Sequence, residues 1–263
     1  MPGLFKPLKP LEPLEPLKPV FPYLSYKFEN SMIPISDNNA DRTRTPYVNY
    51  ILIALNILVF IYYQGFGSNQ AFTMSFSTIP QEILTGNDVV YEGGIGRTPI
   101  PVHLTIFTAM FMHGGLAHLG GNMLYLWVFG DNLENRMGHI KYLGFYLLTG
   151  IIATLCHVFA SQLMQRDLLI PSLGASGAIS GVLGGYLLLF PKNEVRVFVI
   201  ALIIKVPAFI TLGLWIGLQL FSGWGSLGGQ EGGGGVAYAA HIGGFFAGIL
   251  LVKFFAGRSV ERV

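Results

Sequence analysis

The chain has 263 residues, of which 52% are hydrophobic and 11% are charged, whereas about 25% of the residues are charged in a typical soluble domain. This composition predicts a membrane protein. The formal net charge is only +2, which does not support the basic footprint of a nucleic-acid-binding protein. The single cysteine, Cys156, excludes an internal disulfide framework.

The first 46 residues have the composition of an extended tail. They include the stretch KPLKPLEPLEPLKP, in which the density of proline prevents a continuous helix or sheet. We predict a disordered cytoplasmic tail over residues 1–46, and a docking or spacer segment is the alternative. No apolar run with a small-residue cleavage site lies in the first 47 residues, so the first membrane helix is expected to direct insertion.

Six apolar segments follow this tail. Each is within or just below the ~17–25 residues that span a bilayer as a helix. They predict an all-α, polytopic membrane protein with a bundle of six transmembrane helices over residues 47–256, followed by a cytoplasmic C-terminal tail over residues 257–263. The segments lie near residues 47–63, 115–130, 142–160, 173–190, 206–221 and 236–255.

Lysine and arginine residues near the helix ends predict the orientation. Ten of them lie on one side of the predicted bundle, and only Arg97 and Arg166 lie on the other. The positive-inside rule then places both termini in the cytoplasm, which predicts a multi-pass integral protein of the cell (inner) membrane. In this topology His118, Ser176 and His241 all fall in the first two turns of inward-running helices, at one depth.

Ser176 and His241 are candidates for a nucleophile and its base. A serine hydroxyl needs a base within hydrogen-bond reach, and the ordinary pKa of histidine suits that role. The two helices carry small residues at four-residue spacing, which permits close approach. A serine among small residues also fits a purely packing role, which this pattern leaves open. The small residues are Gly177, Gly181 and Gly185 on one helix and Ala240, Gly244 and Gly248 on the other.

His118 and Asn122 are candidates for stabilising an oxyanion. They are four residues apart on one face of the second helix, and both side chains can donate hydrogen bonds to developing negative charge. The free backbone amides at the start of the fourth helix, near Ser176, are further donors. A pair of interhelical hydrogen bonds that only hold the bundle together is the alternative.

At these residues the chain resembles the rhomboid family of intramembrane serine proteases. The matching strings occur in the family's order and span residues 103–251, and together they are highly specific. They are HGGLAHLGGNM at residues 113–123, GDNLENRMG at 130–138, GASG at 174–177 and AHIGGFFAG at 240–248. The resemblance implies a six-helix rhomboid-like bundle in the lipid bilayer that cleaves transmembrane protein substrates near the outer face, without cofactor, metal or nucleic acid.

The resemblance also implies the role of each site residue. Ser176 would be the nucleophile and His241 the general base of a dyad without an acid. His118, Asn122 and the Ser176 amide would form the oxyanion hole. In the second loop Glu134 and Arg136 would form a structural pair, while His113 would be a polar anchor between loop and helix. These residues occupy the matching positions of the four strings.

The chain departs from the family pattern four positions after Ser176. Many family members carry an aromatic residue there, which stacks on the base, whereas this chain has Ser180. Tyr238 and Phe245 are the candidates to support the His241 ring instead.

Three other classes of function are alternatives for this sequence. A catalytically inactive rhomboid-like protein that binds membrane clients is the main alternative, although inactive relatives usually lack the serine or the histidine. A zinc or aspartyl protease is unsupported, because the chain has no HExxH string and Asp131 stands alone at a helix end. A transporter would show repeats between its halves, and no convincing repeat is found.

Overall fold

The computed structural model describes residues 33–89, 97–199, 201–227 and 235–257, which are mostly helical. Three strands form an antiparallel sheet in the order β1-β2-β3: β1 Ile33–Asp37, β2 Glu194–Val199 and β3 Leu202–Pro207. The α-helices of these residues are α1 Tyr47–Leu58 (continued by a short π-helix, Val59–Tyr63), α2 Gln70–Phe76, α3 Pro80–Thr85, α4 Thr105–Ala109, α5 Leu116–Met137, α6 His139–Met164, α7 Ser176–Leu189, α8 Ala208–Leu227 and α9 Gly235–Ala256.

Each of the six predicted apolar segments overlaps one of the helices α1 and α5 to α9. Within the described residues, α6 and the Tyr238–Ala256 part of α9 are long and apolar enough to cross a membrane. Shorter apolar helices cover Tyr47–Tyr63, Ser176–Leu189 and Ala208–Trp224. The number of six membrane spans therefore stays a prediction.

The sheet shows that the all-α prediction was incomplete. In β2, Val195 and Val197 are buried while Arg196 and Phe198 are exposed. This period of two is typical of a strand with one face on the core.

Strand β1 lies inside the segment predicted as a tail, so the described fold begins before residue 47. Residues 1–32 and 258–263, which make up most of the two predicted tails, lie outside the described residues.

Helices α7 and α9 approach so closely that only glycine fits between them. A Cβ atom on Gly244 would overlap the carbonyl oxygen of Gly177, and one on Gly248 would overlap the carbonyl oxygen of Gly181. Glycines with this four-residue spacing let helix backbones touch in a membrane. The close approach predicted from these small residues is therefore present.

A buried carboxylate joins α1 to α5 at the end of the bundle near the sheet. The Glu134 side chain, which is fully buried, accepts hydrogen bonds from the backbone amides of Val48 at 2.9 Å and Asn49 at 2.7 Å. These amides lie in the first turn of α1, where the backbone N–H groups have no acceptor within the helix. The side-chain partner of Glu134 is His139 rather than the expected Arg136, because α6 begins directly after α5 and brings His139 to the carboxylate.

Asp37 connects the sheet to two helices. Its carboxylate accepts hydrogen bonds from the Asn132 amide of α5 and from the Tyr186 hydroxyl of α7. Burial raises the pKa of Asp37 to about 7, although these hydrogen bonds act to lower the pKa and Asp131 raises it further. The carboxyl group is therefore more readily protonated in the folded chain than in the unfolded chain.

We expect Gly248→Ala to lower the free energy of unfolding by about 1–3 kcal/mol, because the methyl group forces α7 and α9 apart. Gly213→Ala is the matched control, since a Cβ atom at Gly213 on α8 meets nothing within 4 Å. Thermal unfolding in detergent micelles measures both variants. Equal unfolding temperatures for the two variants would show that the glycine contact does not hold these helices together.

We expect Asp37→Asn to remove part of the pH dependence of stability. Between about pH 4 and pH 7 the unfolded chain loses the Asp37 proton while the folded chain keeps it, so the free energy of unfolding of the natural protein falls as pH rises. Above the folded pKa this loss levels off. The unfolding temperature of Asp37→Asn should therefore rise relative to that of the natural protein as the pH increases from 4.5 to 8. The exposed Asp41→Asn is the control, and a constant difference between Asp37→Asn and the natural protein across this range would contradict the account.

Candidate active site

Ser176 and His241 meet at the end of the bundle opposite the sheet. Ser176 is the first residue of α7, and His241 lies in the second turn of α9. The Ser176 Oγ atom lies 2.9 Å from His241 Nε2, within hydrogen-bond distance. The glycine contact between Gly177 and Gly244 lies one residue after the serine and three residues after the histidine. The close approach of the two helix backbones thus positions this pair.

Two cavities flank the pair. One, of about 220 Å³, lies between α5, α7 and α8, and Asn122 and Trp215 line it. The other, of about 160 Å³, borders α6 and the segment that precedes α7, and Thr154 lines it. His118, Ser176 and His241 line both cavities. The three residues that were predicted to share one depth therefore lie together.

The His118 ring presents one nitrogen to the space beside Ser176. Its Nδ1 atom accepts a hydrogen bond from the Gly114 amide at 3.3 Å, so the neutral ring carries its proton on Nε2. A Cβ atom on Gly174 would lie 3.1 Å from His118 Nε2 and 3.6 Å from Ser176 Oγ. Both atoms therefore border one small space, which the absence of a side chain at Gly174 keeps open. Gly174 has a φ of +132°, a conformation that favours glycine.

Asn122 offers a donor that the described residues leave unused. Its Nδ2 atom is buried and has no hydrogen-bond partner among them. Such groups are rare in native structures and are typically explained by a functional role or by solvent. Because Asn122 lines the larger cavity together with Ser176, its amide is available to an acceptor that enters there.

The Gln64 side chain holds the backbone of His113. The Gln64 side chain accepts a hydrogen bond from the His113 amide and donates one to the His113 carbonyl, both at 2.9 Å. The His113 ring is buried against the His118 ring, with centroids 5.2 Å apart. Both hydrogen bonds use only the backbone of His113, and its two ring nitrogens are buried without a hydrogen-bond partner among the described residues. The role of the His113 side chain as a polar anchor therefore stays a prediction.

Two residues of α8 complete the surroundings of His241 and were missed in the sequence. Gln219 Oε1 lies 2.9 Å from His241 Nδ1, and the Trp215 ring contacts the His241 ring at a centroid distance of 6.0 Å. The expectation that Tyr238 or Phe245 supports this ring overlooked Trp215, which also contacts Phe245. An amide side chain within the apolar stretch 208–227 is the signal that identifies Gln219.

Ser180 does not replace the missing aromatic residue. Its hydroxyl donates to the Ser176 carbonyl at 2.6 Å, within its own helix. The site thus combines a hydroxyl, a ring nitrogen that can accept its proton, and several donors around one space. Within the described residues, no group of three His, Cys, Asp or Glu side chains is placed to hold a metal ion.

Comparison with known proteins gives consistent results. The chain is 33% identical over 159 residues to "Rhomboid protein 1, mitochondrial" of Saccharomyces cerevisiae, covering 60% of this chain and 43% of that protein. It is 30% identical over 222 residues to "Rhomboid protease GluP" of Bacillus subtilis, covering 83% of this chain and 37% of the relative. It is also 27% identical over 152 residues to the "Presenilin-associated rhomboid-like protein, mitochondrial" of Homo sapiens, covering 55% of this chain and 36% of that protein.

The chain therefore spans less than half the length of these relatives. The model of the Rhomboid domain matches residues 102–258, which is more than half of this chain. This match includes His118, Asn122, Ser176 and His241. The chain belongs to the rhomboid family of integral membrane proteins.

Proposed function

We propose that the chain is an intramembrane serine endopeptidase that cleaves transmembrane segments of membrane proteins. The observation that carries the proposal is the 2.9 Å distance between Ser176 Oγ and His241 Nε2, with unused donors facing the same space. A packing role for Ser176 does not require this pairing or the buried, unpartnered Asn122 amide. One relative is itself named a rhomboid protease, which supports the same conclusion.

In the proposed first step, His241 Nε2 takes the hydroxyl proton as Ser176 Oγ attacks the carbonyl carbon of the scissile peptide bond. The carbonyl oxygen becomes an oxyanion, to which His118 Nε2–H, the Asn122 amide and the Ser176 backbone amide donate hydrogen bonds. The carbon–nitrogen bond then breaks, and the leaving amine takes the proton from His241. An ester between Ser176 and the substrate remains.

In the second step, a water molecule gives a proton to His241 and attacks this ester. The same donors hold the second oxyanion, and collapse returns the proton to Ser176 Oγ and releases the new carboxyl terminus. The two cavities beside the pair, of about 220 and 160 Å³, provide separate space for the substrate and for water. In this scheme the substrate occupies the larger cavity, where Asn122 lies.

The proposal includes a topology and a location. The six helices α1 and α5 to α9 span the bilayer, with both termini in the cytoplasm and the site near the outer face. The distribution of lysine and arginine supports this orientation. The membrane is the cell (inner) membrane, and the partners are lipids and transmembrane substrates.

The test uses purified natural protein, Ser176→Ala and His241→Ala with a panel of single-span model substrates, in the presence of a chelator. Cleavage by the natural protein alone is expected. If Ser176→Ala cleaves as fast as the natural protein, Ser176 is not the nucleophile. If the natural protein and both variants fold but none of them cleaves any substrate, the alternative of an inactive client-binding protein is favoured.

We expect Asn122→Ala to lower kcat about 10²- to 10³-fold without abolishing cleavage, because one oxyanion donor is lost and others remain. Asn38→Ala, an exposed asparagine near the sheet at the opposite end of α7, is the matched control and should cleave normally. The rate of cleavage of one model substrate measures both. If Asn122→Ala cleaves at the same rate as the natural protein, Asn122 is not part of the oxyanion hole.

A further inference from the structure

The His241 ring is held from both of its nitrogen atoms. Nε2 lies 2.9 Å from Ser176 Oγ, and Nδ1 lies 2.9 Å from Gln219 Oε1. The two partners come from different helices, α7 and α8, while the ring itself belongs to α9. The direction of each hydrogen bond therefore depends on which nitrogen carries the proton.

The orientation of the Gln219 amide, with Oε1 toward Nδ1, decides that question. An amide oxygen can only accept, so the Nδ1 atom beside it must carry the proton. Nε2 then has a free lone pair and accepts the hydroxyl hydrogen of Ser176, which is the arrangement that a general base needs. The reverse orientation of the amide would present an N–H group to Nδ1, shift the ring proton to Nε2 and make the ring a donor toward Ser176.

The same contact persists after proton transfer. When Nε2 has taken the serine proton, both ring nitrogens are donors, and the Gln219 oxygen still accepts from Nδ1–H. Its partial negative charge lies beside the positive ring. In a Ser-His-Asp triad a carboxylate performs both tasks, and Gln219 supplies a neutral acceptor at the corresponding nitrogen.

Trp215 contacts the His241 ring from the same helix as Gln219. It precedes Gln219 by four residues, so both side chains lie on one face of α8. The Trp215 and His241 rings have centroids 6.0 Å apart and are tilted by 39°. Helix α8 therefore supplies both a ring contact and the Nδ1 partner of His241, whereas the Ser180 hydroxyl of α7 bonds within its own helix.

We propose that Gln219 is the positioning residue that holds the neutral His241 ring with its proton on Nδ1 and thereby makes Nε2 the base for Ser176. This inference rests on the proposed proteolytic function. It assigns Gln219 no contact with the substrate and no proton transfer of its own.

The direct test is the position of the ring proton, which needs no activity. Natural protein and Gln219→Leu carrying ¹⁵N-labelled histidine are compared in micelles by their ring-nitrogen chemical shifts. The His241 signals are identified by their loss in His241→Ala. We expect a proton on Nδ1 in the natural protein, and a mixture of both neutral forms in Gln219→Leu. A natural protein with the His241 proton on Nε2 would overturn the inference.

The kinetic test separates positioning from packing. Gln219→Leu should lower kcat about 10- to 100-fold through the lost hydrogen bond, with KM changed less than about twofold. Gln219→Glu keeps an acceptor oxygen and should recover kcat to within about tenfold of the natural protein. Gln162→Leu, the same replacement at an exposed site on α6, is the matched control and should behave as the natural protein.

The outcomes distinguish the two proposals. If the natural protein cleaves and Gln219→Leu keeps both its kcat and its Nδ1 proton, the inference about Gln219 is wrong and the proteolytic function stands. If the natural protein cleaves no substrate, the proposed function fails, while the ring-nitrogen shifts still decide the Nδ1 assignment. If Gln219→Leu does not fold, the shifts of the natural protein and the rate of Gln219→Glu decide the matter.

Discussion

The contact of the α7 and α9 backbones is the constraint on which the candidate site depends. A serine and a histidine on separate helices form a direct hydrogen bond only if the two helices pack against each other with these side chains in register. The carbonyl oxygens of Gly177 and Gly181 on α7 lie against Gly244 and Gly248 of α9, and the carbonyl oxygen of Phe245 on α9 lies against Gly184 of α7. The Ser176–His241 distance of 2.9 Å follows from a packing arrangement that continues along both helices.

The rest of the structure orients and supports this contact. Helix α5 brings His118 and Asn122 to the space beside Ser176, and α8 brings Trp215 and Gln219 to the His241 ring. At the opposite end, the Glu134 carboxylate joins α1 to α5, and the sheet meets α5 and α7 through Asp37. Polar groups thus connect the helices at both ends, while glycine and apolar residues pack between α7 and α9.

Much of this could be predicted from the sequence, because the signals are local or repeated. Apolar stretches predicted the positions of α1 and α5 to α9, and the spacing of Gly177, Gly181, Gly244 and Gly248 predicted a close helix contact. The four ordered motifs predicted the rhomboid family. The catalytic roles of Ser176, His241, His118 and Asn122 remain proposals, although the structure brings these side chains around one space.

The features that were missed depend on partners far apart in the chain. Strand β1 pairs with β2 across about 160 residues, and a short strand inside a Pro-rich tail has no local pattern to reveal it. Glu134 pairs with His139 and caps α1 instead of bonding to Arg136, because the turn between α5 and α6 decides which side chain reaches the carboxylate. Gln219 was visible as an amide in an apolar helix, but its partner depends on how α8 packs against α9.

The most direct test of the central claim is to locate the adduct of a serine-directed fluorophosphonate probe by mass spectrometry. A base-activated serine reacts, whereas a packing serine does not. The account predicts a single adduct on Ser176 in the natural protein and none in folded His241→Ala. An unlabelled Ser176 in the natural protein, or equal labelling in His241→Ala, would contradict it.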